Sequence, residues 1–90
     1  MTPEIETAVR ANRDAWAVYD PFAPGEDARR AKLAAEYDAL VKRAMGPTQD
    51  ELRAIAAAYV RRPDRVLYNF TCAVFWRTAA DIARIGQKAA

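Results

Sequence analysis

The stretch VLYNFTCAVFW, residues 66–76, constrains this chain more than any other part of it. Nine of its eleven residues are apolar or aromatic, Asn69 and Thr71 being the exceptions, and Arg65 and Arg77 bracket it. Such a run has to be shielded from water by the rest of the chain, by a bilayer or by another molecule. A bilayer span needs about 18–20 apolar residues. Extending the run takes in Arg77, Asp81 and Arg84, so no membrane crossing is expected. A strand needs a neighbour for its backbone hydrogen bonds. No second segment reads as one, because the other hydrophobic stripes repeat at helical spacing.

The run therefore predicts a helix over 64–86, apolar almost all round in its first half and hence central. Leu67, Phe70 and Val74 lie on one side, Tyr68, Cys72, Phe75 and Ala79 on another, and Trp76 further round. Phe75 and Trp76 are adjacent, so one flat face cannot bury both. In the second half Ile82 and Ile85 are expected to face inward, opposite Arg77, Asp81, Arg84 and Lys88.

Three more helices precede it. Thr2, Pro3 and Glu4 form a cap, a first-turn proline and a dipole-matched acid. Ile5, Val9, Trp16 and Tyr19 follow at helical spacing, with Asn12 in the middle of their stripe. Pro21 disfavours helical geometry before it. The loop DPFAPGED, 20–27, holds Phe22, expected to fold back onto the core. It does not read as a calcium loop, because Phe22, Pro24 and Ala31 occupy ligand positions. A second helix carries Leu33, Tyr37, Leu40, Val41 and Ala44, with opposite charges four apart at Glu26–Arg30, Lys32–Glu36 and Asp38–Lys42. Gly46 and Pro47 stop it, Gly46 as a left-handed cap. TQDE, 48–51, is a capping box for a third helix that buries Leu52, Ile55, Ala56 and Tyr59. RRPDR ends that helix, with Asp64 as a cap or Pro63 as the first turn of the next. The expected fold is all-α: one small four-helix domain, helices at about 3–19, 26–45, 49–61 and 64–86, with the apolar C-terminal helix as its central spine.

The residue inventory narrows the chemistry. The chain has no histidine, one cysteine and three glycines. Histidine-dependent triads are excluded, zinc is disfavoured, and neither a P-loop nor a dinucleotide fingerprint fits. The acids near loops read as caps and dipole partners. No catalysis, cofactor or metal is expected. Cys72 reads as a small core residue, and a lone thiol fits a reducing compartment. The opening residues carry no basic leader or apolar signal core. A cytoplasmic location is expected, and the Ala and Arg bias fits a GC-rich bacterial or phage origin.

Fourteen basic and twelve acidic residues leave a formal charge of +2, far from the footprint of a dedicated nucleic-acid binder. A helix-turn-helix reading meets Asp50 and Glu51 at one recognition end and a core-like VLYNF at the other. The expected function is a non-catalytic protein-interaction module, a regulator, inhibitor or adaptor that binds another protein or itself as a homodimer. The residue types enriched at binding hot spots place its surface at Arg61, Arg62, Arg65, Tyr68, Trp76 and Arg77. The alternative is a nucleic-acid-associated, helix-turn-helix-like regulator using Arg61, Arg62 and Arg65.

Overall fold

The computed structural model describes residues 2–62 and 64–89, with the backbone alone described for Lys88 and Ala89. Four helices account for nearly all of it: α1 (Pro3–Ala17), α2 (Glu26–Ala44), α3 (Gln49–Arg61) and α4 (Arg65–Ala89). The all-α fold is as the sequence predicts. The first two helices end one or two residues early, and α4 continues through Gly86 to Ala89.

Local chemistry sets the starts. Thr2 Oγ1 accepts from Ile5 N at 3.3 Å and Thr48 Oγ1 from Glu51 N at 3.3 Å, each satisfying one orphan amide of a first turn. Asp64 Oδ1 accepts from Leu67 N at 3.4 Å, so Asp64 caps α4; the expectation for Pro63 lies outside the described residues. Gly25 begins α2 at φ 76°, a left-handed conformation that disfavours a side chain. Gly46 does not take the left-handed cap expected of it, since Gly25 is the one positive-φ glycine among the described residues.

The turn between α1 and α2 is held by one side chain. Arg29 donates to the Ala15 carbonyl at 2.9 Å and also to the Val18 carbonyl, satisfying acceptors left open where α1 ends without a basic residue of its own. The same guanidinium grips Glu26 at 2.8 Å, and this hydrogen bond holds the buried Glu26 carboxyl below its usual range. Glu26 therefore pairs with Arg29 rather than Arg30, which lies over the rings of Trp16 and Tyr19. Lys32–Glu36 and Asp38–Lys42 form no ion pair, and Asp38 instead meets Arg77 at 2.8 Å.

α4 packs against each of the other three helices, as expected of a spine. Ile5 and Val9 of α1, Leu40, Val41 and Ala44 of α2, Leu52 of α3, and Leu67, Phe70 and Val74 of α4 form one buried cluster. Phe70, 1 % exposed, meets the Tyr37 ring edge-on with centroids 5.6 Å apart. Thr71 is fully buried, and its hydroxyl donates to the Leu67 carbonyl at 2.8 Å, so no polar atom is stranded there. Asn12 is also buried and donates from Nδ2 to the Leu33 carbonyl at 3.0 Å. Its partner lies on α2, not in the local backbone.

The domain is drawn out along α4. Its radius of gyration is 15.2 Å, against about 12 Å for a close-packed chain of this length. Its extents are 49 × 35 × 18 Å. The 25 residues of α4 measure about 38 Å and the 13 residues of α3 about 20 Å. α3 runs back along α4 from the 62–64 connection, bringing Arg53 over the Phe75 ring at 5.5 Å. About three turns of α4 lie beyond the reach of α3.

Tyr59 ties α3 to α1 by donating its hydroxyl proton to Glu6 at 2.7 Å. Burial, reinforced by that hydrogen bond, pushes the Tyr59 phenol from 10.0 up to about 12. The unfolded chain gives up this proton first, so the stability linked to Tyr59 is whole below pH 10 and is lost as the pH climbs towards 12. Burial shifts Tyr37 in the same direction. In thermal melts, Tyr59→Phe is expected to make the fall in Tm between pH 10 and 12 shallower than in the parent protein.

Candidate interaction surface

The six residues singled out from the sequence do not form one patch. Arg61 and Arg62 are exposed at the corner where α3 gives way to α4. Arg65 is exposed one step on and lines a groove between α1, α2 and α4. Tyr68 is half-buried, and the neighbouring Cys72 thiol raises its phenol pKa. Arg77 does not line the groove and is held by Asp38, which does, at 2.8 Å. Trp76 stands apart at 70 % exposure, supported by the edge of Phe75 at a centroid distance of 6.0 Å. Of the adjacent aromatic pair, Phe75 turns partly onto the core and Trp76 into solvent.

Two expectations about apolar residues are overturned. Ile82 and Ile85 do not face a core: they are 53 % and 67 % exposed. Their position on the helix is the inward one, since Phe75, Thr78, Ile82 and Ile85 repeat at alternating spacings of three and four. Phe75 packs partly on the core and Thr78 is half-buried, but at Ile82 and Ile85 the stripe is exposed among the described residues. Phe22 does not fold back on the core. It is 92 % exposed, because Asp20 Oδ1 accepts from Phe22 N at 3.0 Å and fixes a tight turn that carries the ring outward.

Asp64, the acid within the arginine corner, is engaged elsewhere. Asp64 pairs with Arg10 of α1, and Arg61, Arg62 and Arg65 make no ion pair among the described residues.

The groove beside this corner has a volume of about 660 Å³. Val9 and Phe70 form its buried floor, Trp16 and Tyr37 are half-buried in its walls, and Asn12, Asn69, Arg13 and Arg65 supply its polar edges. Sequence reasoning missed it, apart from noting that Asn12 and Asn69 interrupt apolar stripes.

Comparison with known proteins finds no family model, no curated protein and no solved structure that matches the chain. The chemistry of the surface must speak for itself. Among the described residues, no three acidic or cysteine side chains converge where they would hold a metal ion. No helix among them is long and apolar enough to cross a membrane.

Proposed function

We propose that the chain is a non-catalytic helical module that works by presenting the distal half of α4 to a protein partner, either a second protein or another copy of itself. The observation that carries this reading is the exposure of Ile82 and Ile85 on a helix that outreaches its neighbour. Isolated apolar side chains on a surface are ordinary. A stripe that keeps core spacing over successive turns and ends without a partner is what a helix-in-groove or helix-pair contact uses. Trp76, nine residues before Ile85 and so on the opposite side of α4, is a second exposed residue of the type enriched at such contacts.

The test is the mass of the protein in the cells that make it and after purification. A species larger than the 10.0 kDa chain is expected in at least one of the two. A species of 10.0 kDa in native extract and at every concentration of purified protein would end the reading.

The unpaired state of Arg61, Arg62 and Arg65 favours a second reading, in which this corner contacts nucleic-acid phosphates. Retention on DNA or RNA at low salt is then expected. Changing the three arginines to Ala should reduce the slope of log affinity against log salt by roughly 0.7–0.9 per lost contact. No retention of the unchanged protein at low salt rejects it.

A further inference from the structure

The contacts along one edge of α1 change character at their third step. Glu6, Arg10 and Arg13 follow one another on a single helical face. Glu6 takes the Tyr59 hydroxyl and Arg10 takes Asp64, so the first two steps join complementary groups. At the third, Arg13 lines the same groove as Arg65. Two cations share one concavity, and neither has an ion-pair partner among the described residues. The one acidic side chain lining the groove, Asp38, is already bound by Arg77. Like charges gathered in a concave site raise the local potential and favour an anion there.

The remainder of the groove is not an anion site. Val9 and Phe70 are buried in its floor, Val66 is half-buried beside them, and Trp16 forms a wall. Its volume of about 660 Å³ lies within the roughly 300–1,000 Å³ common for small-molecule sites, which pair apolar linings with a few placed polar groups. We propose that this groove binds an anionic amphiphile, its head group received by Arg13 and Arg65 and its apolar body laid over Val9, Val66 and Phe70 against Trp16. Guanidinium groups suit this role because their planar donors match a carboxylate in pairs. The inference is independent of the protein-binding role of distal α4, since the groove lies at the other end of that helix.

Trp16 reports on the site once the other tryptophan is removed by Trp76→Phe. Decanoate, kept below its micelle-forming concentration, is titrated into this protein while Trp16 emission is followed. A saturable shift is expected, with decan-1-ol and acetate each binding at least about tenfold more weakly. Arg13→Gln and Arg65→Gln should each weaken decanoate by roughly tenfold, as expected for loss of a charge-assisted contact. Both arginines are exposed, and unchanged helicity in circular dichroism verifies the fold of each variant. The comparison of decanoate with decan-1-ol needs neither variant. Absence of a saturable shift, equal affinity for the alcohol, or unchanged affinity in folded variants of both arginines would overturn the proposal. Saturation by an acidic, phenylalanine-containing peptide where decanoate fails would also overturn it and give the groove to a peptide.

Discussion

Phe70→Ala is expected to bring the domain close to unfolding. The ring is 1 % exposed, lies in the cluster to which all four helices contribute, and meets Tyr37 edge-on. Removing a buried phenylalanine side chain costs about 3–5 kcal/mol, through lost burial and the cavity left behind. A domain of this length has a total stability of roughly 5–13 kcal/mol. The substitution therefore removes a large share of the whole. At about 4–8 °C of Tm for each kcal/mol in a small domain, the melting temperature should fall by more than about 12 °C. Thermal melts followed at the helical dichroism band read this directly. A fall of only a few degrees would mean that α4 is not the spine on which the other helices are assembled.

Trp76→Glu should do the reverse, sparing the fold and removing association. The indole is 70 % exposed and its one aromatic neighbour is Phe75. Losing an edge-to-face pair costs about 0.5–1.5 kcal/mol, and other surface substitutions stay within roughly 0.5 kcal/mol. A buried tryptophan anchor in an interface is worth at least about 2 kcal/mol, or about thirtyfold in affinity. The partner-bound species should therefore disappear at protein concentrations where helicity is retained and Tm falls by about 2–12 °C, less than for Phe70→Ala. If Trp76→Glu unfolds the chain, the indole is holding the domain together and the surface loses its anchor. The contrast between Phe70 and Trp76, six residues apart on one helix, separates the core side of α4 from its free side.

Much of this architecture was legible in the amino-acid sequence. Thr2 and Thr48 announced two helix starts because a hydroxyl three residues before an open amide is a local arrangement that needs no tertiary partner. The stripe of α2 and the central place of α4 followed from periodicity; of the four residues expected to be buried by α3, Leu52 is buried and Ile55, Ala56 and Tyr59 are half-buried. Periodicity says which side chains share a face, however, and not whether anything lies opposite. Ile82 and Ile85 were placed inward for that reason. The missing information was length: a third helix of 13 residues cannot cover a fourth of 25, and the boundaries already implied as much. Phe22 was misplaced because the Asp20 turn, a side-chain to backbone hydrogen bond two residues apart, outweighs the tendency of one ring to seek the core.

Electrostatic partners were the least legible layer. Same-helix spacing offered Arg30 to Glu26 and Lys42 to Asp38. The chain uses Arg29, which also closes the end of α1, and Arg77, which reaches from α4. The arginine corner was recognised as a cluster, but the acid within it, Asp64, pairs with Arg10, more than fifty residues distant in sequence. The groove behind Arg65 combines three helices and therefore has no contiguous signature.

The central claim, that another protein covers distal α4, is tested most directly by light-activated cross-linking in the cells that make the protein. A photoreactive benzoylphenylalanine is placed in turn at positions 76, 82 and 85, with position 35 on the exposed face of α2 as the control. Adducts of defined mass are expected from the three α4 positions and not from position 35. Absence of adducts from all three, or equal yields from position 35, would contradict the claim and leave distal α4 as a solvated helix end.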